Sequence, residues 1–294
     1  MDWKTKRVEA ILEQALVEDK ATSDATTAIT IDQALRASAT VIAKQDCVIA
    51  GLGSIPRFLE IYARLDKRNN GRYEVISHPE MFDGVRVKNG QAIAVIRHNA
   101  RVILACERVI LNLMQHLSGV ATVTRRYVDA VKGTGACILD TRKTVPGMRL
   151  LDKYAVRCGG GENHRLDLSD GILIKNNHIS LGGGIETVLA RALKNRKPGQ
   201  RIQVEVRTTA ELEAALAGGA ESLLLDNMTP PQIKKAVKLV RATGSAIPLE
   251  ASGGIVLENV RKYALAGVNY ISVGALTHSA PAVDLSMRIT AEIY

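Results

Sequence analysis

Five side chains able to carry positive charge fall close together in the middle of this chain: Arg142, Lys143, His164, Arg165 and Lys175. Arg142-Lys143 follows Asp140-Thr141 at the end of the apolar run Cys137-Ile138-Leu139. Lys175-Asn176-Asn177-His178 follows the run Ile172-Leu173-Ile174, and Asn163-His164-Arg165 comes after the glycines Gly159 to Gly161. A guanidinium presents a planar fork that pairs bidentately with a carboxylate, while an ammonium is a point charge suited to phosphate oxygens. His164 can orient a carboxylate or pass a proton, although a lone histidine is more often structural. Any one of these residues alone reads best as part of a solvated face. The set, gathered at the ends of apolar runs, reads as a site for a small molecule with several negative charges.

Two further groupings extend that reading. Glu250-Ala251-Ser252-Gly253-Gly254 and Gly274-Ala275-Leu276-Thr277 each follow an apolar run, and glycine-freed backbone N–H groups in such turns make a phosphate nest. Glu205 and Asp226 also end apolar runs. In so basic a setting they fit Mg²⁺, which takes one or two carboxylates plus phosphate oxygens, or the hydroxyls of a sugar. An ion pair with a lysine of the site is the plainer alternative. Lys175 carries a second meaning, since a desolvated strand-end lysine can form a Schiff base. That rival is a lyase or aldolase, and anion clamps outnumber proton-transfer partners here.

The elements that must position these residues follow from periodicity. From Gly133 onward short apolar runs recur, each ending in polar residues and most separated by helical segments such as Ala210–Ala217 and Pro231–Thr243. Alternating strand and helix imply parallel strands, and polar residues at the carboxyl ends of many strands mark a barrel with its site on that face. Six strands are visible, so the barrel is incomplete; an open doubly wound sheet is the alternative. Before this, Val8, Ile11, Leu12, Ala15 and Leu16 trace an amphipathic helix, Ser23–Thr30 reads as a loop, and Ile55–Leu65 as a helix. Asn69-Asn70-Gly71 marks a turn, and Val85–Ile96 alternates around Asn89-Gly90 like a hairpin. Ala100–Ser118 is helical and apolar nearly all round, which implies burial, except for the stripe Arg108, Asn112, His116 with Gln115 beside it. Pro281–Tyr294 is expected to be a helix returning to the first layer.

Composition excludes several classes. The net charge of +9 is spread along the chain, without a basic arm, and aromatics are only 3%. Stacking platforms for single-stranded nucleic acid are therefore scarce, and a small anion accounts for the charge better than nucleic acid does. No apolar stretch approaches the roughly 20 residues that span a bilayer. The four cysteines show no metal-binding spacing and read as reduced thiols of a cytoplasmic protein.

The whole chain resembles the quinolinate phosphoribosyltransferase family, closely from about Ala100 onward and loosely before it. The likeness is carried by Glu107-Arg108, Leu111-Asn112, His116–Thr122, Asp140-Thr141-Arg142-Lys143-Thr144, Pro146-Gly147 and Lys153–Val156. It continues in Gly159–Gly161, Asn163-His164-Arg165, Leu173–His178, Val204-Glu205-Val206, Leu225-Asp226-Asn227 and Glu250–Gly254. The resemblance implies an α/β protein: an incomplete, open α/β barrel of six or seven parallel strands plus an N-terminal α/β sandwich. The expected division is residues 1–115 for the sandwich, with a helix at 280–294 packing back on it, and 116–279 for the barrel.

The implied reaction joins quinolinate and phosphoribosyl pyrophosphate with Mg²⁺, giving nicotinate mononucleotide, pyrophosphate and CO2, a step of de novo NAD biosynthesis. The implied assembly is a homodimer with shared active sites, with hexamers left open. Carried over by position, Arg142, His164 and Arg165 would hold the quinolinate carboxylates, and Arg108 would reach in from the partner subunit. Lys143 and Lys175 would meet pyrophosphate and phosphate charge. Glu205 and Asp226 would address ribose hydroxyls and Mg²⁺, and Ser252, Gly253, Gly254 and Gly274 would cradle the 5-phosphate. Lys143, Lys175, Glu205 and Asp226 are the expected catalytic group. Two positions depart from the family pattern: Ser23 stands for a glycine, and His98-Asn99 precedes Ala100-Arg101 where a glycine is expected. A non-catalytic relative linked to metal transport remains an alternative, which loss of a clamp residue would favour; none is lost.

Overall fold

A computed structural model describes residues 1–67 and 71–292. The first two residues of the turn expected at Asn69-Asn70-Gly71 lie outside these. In chain order the elements begin α1 (Lys6–Glu18), α2 (Ala25–Thr30), β1 (Arg36–Ala43), β2 (Cys47–Val48), α3 (Ser54–Leu65), β3 (Glu74–Ile76), β4 (Arg86–Val87), β5 (Ala92–Asn99) and α4 (Ala100–Ala130). They continue β6 (Cys137–Leu139), α5 (Arg149–Cys158), β7 (Ile172–Ile174), α6 (Asn176–Gly182), α7 (Ile185–Asn195), β8 (Ile202–Val206), α8 (Thr209–Ala217) and β9 (Ser222–Asp226). The last are α9 (Pro230–Ala242), β10 (Leu249–Ser252), α10 (Val260–Ala264), β11 (Tyr270–Ser272), α11 (Ala275–His278) and β12 (Leu285–Ala291). Met1–Val123, Val145–Gly160 and the segment from Ser279 onward make one compact unit; Thr124–Thr144 and Gly161–His278 make the other.

The first unit is built on an antiparallel sheet of order β12-β1-β5-β3. In β1, Ala37, Ala39, Val41 and Ala43 are buried in strict alternation, as a sheet with one covered face requires. Helix α1 buries Val8, Leu12 and Leu16, each contributing about 1.5–3 kcal/mol on burial, and packs on α3.

Four expectations fail in this unit. The segment from Pro281 is not a helix: Leu285-Ser286-Met287-Arg288-Ile289 alternates with period two, and β12 pairs antiparallel with β1 from Ala37↔Ala291 to Ala43↔Leu285. Gln115 captures the incoming chain, its backbone carbonyl accepting from Val283 N–H (3.1 Å) and its side-chain oxygen from Leu285 N–H (3.1 Å). Ser23–Thr30 is not all loop either, because Asp24 caps α2 by accepting from Thr27 N–H at 3.0 Å. That bond and one from the Thr27 hydroxyl hold the Asp24 carboxyl below its usual range. Val85–Ile96 turns at Gly90 as read, but β4 pairs with β2 and β5 with β1 and β3, so the two are not a hairpin.

Fourth, the burial implied for the helix as a whole does not extend to its polar stripe, where Arg108 and Asn112 are exposed on α4. His116, partly exposed, bonds the buried Asp152 carboxylate at 2.6 Å. At the start of α4 the Asn99 side chain accepts from Arg101 N–H (2.9 Å), so the residue standing where glycine was expected caps the helix.

The second unit is a parallel sheet of six strands in the order β6-β11-β10-β9-β8-β7, the open barrel expected. Ile202, Val204 and Val206 of β8 are fully buried, while Gln203 and Glu205 point the other way and stay partly exposed. Because every pair is parallel, all six carboxyl ends lie on one side. All four cysteines are free. Among the described residues no helix is long and apolar enough to cross a membrane.

Candidate active site

A cavity of ≈ 470 Å³ opens at the carboxyl ends of the barrel strands. Arg142, Lys143, His164, Arg165 and Lys175 line it, as do Glu205, Asp226, Ser252, Gly253, Gly254 and Gly274. Apart from His164 and Arg165, on the loop before β7, these residues arrive at the ends of six different strands, so the parallel sheet brings together what lies up to 132 positions apart (274 − 142). Arg108 does not line this cavity; it belongs to the first unit. In that unit Asn112 and His116 of its stripe line a separate cavity of ≈ 960 Å³.

One flank is cationic. Arg142 follows β6, and Arg165 lies on the loop before β7, half-buried. Burial and then the Arg142 guanidinium push the Arg165 pKa below the usual guanidinium value, against the opposing carboxylates Asp170 and Asp167. Two fixed cations close together in a partly dry cleft are stabilised by an incoming dianion. Lys143 is exposed, with its backbone carbonyl accepting from Thr277 Oγ1 at 2.7 Å. Lys175, at the end of β7, is also exposed, which removes the desolvation on which Schiff-base chemistry would rely. Its backbone N–H donates to His178 Nδ1 at 2.9 Å, fixing the start of α6.

The same cleft holds two carboxylates, Glu205 on β8, next to β7 in the sheet, and Asp226 on β9. Asn176 Nδ2 donates to Glu205 Oε1 (2.8 Å), and Asn227 Nδ2 to Asp226 Oδ2 (3.0 Å). Arg207 spans the two, with Nε 3.0 Å from Asp226 Oδ2 and Nη2 3.8 Å from Glu205 Oε1. The plainer reading of these carboxylates as ion-paired is thus met by Arg207, not by a lysine. Hard carboxylate oxygens facing one cleft suit Mg²⁺. Among the described residues no three metal-ligating side chains converge, so phosphate oxygens of a ligand would have to complete its coordination.

The third side is the turn Ser252-Gly253-Gly254 after β10. Gly253 has φ +93° and Gly254 φ +62°, backbone conformations that glycine adopts readily, in a turn of the kind that can hold an anion. Asn227, itself at φ 55°, donates its N–H to Ser252 O at 2.8 Å and packs under Gly253.

Arg207, Asn176, Asn227 and Glu250 also shape the cleft, although their positions in the sequence assign them no individual role. Arg207 could have been found by its place two residues after Glu205, which puts both on one face of an extended chain. Glu250 carried no such signal, because its partners are Gln203, 47 positions away, and His164.

Comparison with known proteins follows this geometry. Residues 24–118 match the family described as Quinolinate phosphoribosyl transferase, N-terminal domain, and residues 120–288 match its C-terminal domain. The chain is 41% identical over 266 residues to the nicotinate-nucleotide pyrophosphorylase (carboxylating) of Mycobacterium leprae, covering 90% of this chain and 91% of that one. It is 40% identical over 285 residues to the probable nicotinate-nucleotide pyrophosphorylase (carboxylating) of Bacillus subtilis, covering 97% and 94%. The crystal structure of NadC from Streptococcus pyogenes superposes with a TM-score of 0.91 at 35% identity over 100% of both chains. With both family domains matched in order along nearly its whole length, this chain belongs to the quinolinate phosphoribosyltransferase family.

Proposed function

We propose that this chain transfers the phosphoribosyl group of phosphoribosyl pyrophosphate to quinolinate with decarboxylation, giving nicotinate mononucleotide, pyrophosphate and CO2. One observation carries the reading: a single cleft holds paired guanidiniums, two exposed lysines, two carboxylates and a glycine turn, most of them at the carboxyl ends of the strands. That is one site for each part of the two substrates.

Arg142 and Arg165, with His164 beside them, fit the two quinolinate carboxylates. Ser252, Gly253, Gly254 and Gly274 fit the 5-phosphate. Lys143 and Lys175 fit the pyrophosphate, whose charge grows as it leaves. Glu205 and Asp226 fit the ribose hydroxyls, and would hold Mg²⁺, which supplies charge neutralisation at the diphosphate oxygens when bound. The pyridine nitrogen lone pair forms the new bond to the anomeric carbon, and the carbon–oxygen bond to pyrophosphate breaks with its electron pair leaving on oxygen. The protein needs no nucleophile of its own, so its contribution is positioning and electrostatic stabilisation. The cationic nitrogen then accepts the electrons released as the adjacent carbon–carboxylate bond breaks. CO2 departs and the ring carbon takes a proton from water.

Supplying both substrates with Mg²⁺ to the purified protein should release CO2 and pyrophosphate in equal amounts, and chelating the metal should stop both. Binding of both substrates without CO2 release would defeat the reading. A homodimer in which Arg108 of the partner subunit completes the cleft is part of the same proposal. Arg108→Ala mixed with an inactive barrel-site variant should then regain activity, because some mixed dimers hold one intact site; no recovery would exclude the sharing.

A further inference from the structure

We infer that Glu250 is a positioning residue, which acts through His164 to set Arg165 for the carboxylates of quinolinate. The inference rests on the reaction proposed above.

Glu250 lies on β10 and is 3% exposed. Its Oε2 accepts from Gln203 Nε2 at 2.7 Å and stands 3.3 Å from His164 Nε2. On the other side of the ring, His164 Nδ1 accepts the backbone N–H of Arg165 at 2.8 Å. A backbone N–H can only donate, so Nδ1 must present its lone pair. The ring proton therefore sits on Nε2 and points at Glu250. The His164 backbone N–H is held as well, donating to Asp140 Oδ1 at 2.9 Å, while Asp140 Oδ2 accepts from Asn163 Nδ2 at 2.6 Å. Asp140 is fully buried. The loop that delivers Arg165 is thus suspended between two buried carboxylates, one at the end of β6 and one inside the barrel.

A buried carboxylate needs a reason, because burial disfavours its charged form. At Glu250 burial does raise the carboxyl, but the hydrogen bond and charge of His164, with Ser272 and Gln203, outweigh it and hold the pKa below the usual glutamate value. An anion beneath a site for anions weakens binding if charge is all it contributes. His164 and Glu250 both line the cleft, and with Arg165 and Leu173 they also line a second cavity of ≈ 250 Å³ at the amino-terminal mouth of the barrel. The pair is thus part of the wall shared by the two openings. Both ring nitrogens are committed within the protein in this geometry, so His164 serves the substrate chiefly through the residue that follows it.

Two variants separate reach from charge. Glu250→Asp keeps the charge and withdraws it by one methylene; Glu250→Gln removes the charge and keeps an acceptor within reach of Nε2–H. Calorimetric titration should show Glu250→Asp losing quinolinate affinity about tenfold, the scale of one hydrogen bond to a charged group. Its affinity for phosphoribosyl pyrophosphate should stay within about twofold, and Glu250→Gln should stay within about threefold of wild type for both ligands. His164→Ala combined with Glu250→Asp should bind quinolinate no more weakly than His164→Ala alone, as expected of residues acting in series. Equal loss for both ligands, additive losses, or tighter quinolinate binding by Glu250→Gln would overturn the inference. CO2 release by the wild type is scored separately: its absence removes the proposed reaction and leaves the binding comparison readable.

Discussion

Arg165→Ala should lose quinolinate affinity by roughly tenfold to a hundredfold, the range for hydrogen bonds to a charged partner, with phosphoribosyl pyrophosphate affinity changed by less than about threefold. The asymmetry follows from placement. Arg165 lies on the loop before β7 and is close enough to Arg142 to feel its charge, whereas the residues proposed for the diphosphate and the 5-phosphate follow strand ends. Its guanidinium is half-buried and crowded by a second cation, so a dicarboxylate relieves repulsion as well as forming hydrogen bonds. Arg165→Lys should recover only a minor part of the loss, since an ammonium keeps the charge without the planar fork. Separate titration of each substrate decides the matter. Equal weakening of both would show that Arg165 serves the whole cleft, and full recovery by lysine would show that charge alone matters.

Much of the site was legible before any fold was in hand because it obeys a local rule. In a parallel sheet the residues at and just past the carboxyl ends of the strands face the same opening, so Arg142, Lys175, Glu205, Asp226, Ser252 and Gly274 could be placed together from the ends of apolar runs alone. The expected open barrel follows from the same repeat, and six strands form it. What escaped depends on partners distant in the chain or on weak periodicity. β12 is hard to tell from a helix in sequence because its alternation, Leu285, Met287, Ile289, spans only three apolar residues; the pairing with β1 makes it a strand. α2 was missed because Ala25–Thr30 is rich in threonine, a poor helix former, and depends on the Asp24 cap. Glu250 sits one residue inside a strand, where an acid has no function until His164 is seen to meet it.

Gly253→Ala should lower kcat/KM for phosphoribosyl pyrophosphate by roughly a hundredfold or more, summing backbone strain and the loss of phosphate hydrogen bonds. At φ +93° an L side chain is strained whatever the space around it, and there is no space. A Cβ would stand 2.2 Å from Asn227 Oδ1, 2.6 Å from its Cγ and 3.0 Å from its backbone nitrogen. Asn227 cannot yield without cost, since its N–H donates to Ser252 O and its side chain holds Asp226 Oδ2. One methyl group therefore disturbs the phosphate turn and the carboxylate proposed to face ribose and Mg²⁺ together. The variant should need more Mg²⁺ for half-maximal rate, while its quinolinate affinity, proposed to be set by Arg142 and Arg165, stays within about threefold. The neighbouring glycine supplies the control. Gly254 has φ +62°, within reach of asparagine, and nothing lies within 4 Å of a Cβ there. Gly254→Asn should then cost less than about tenfold. If it is as damaging as Gly253→Ala, the defect comes from crowding the phosphate itself, and the wedge against Asn227 is not its cause.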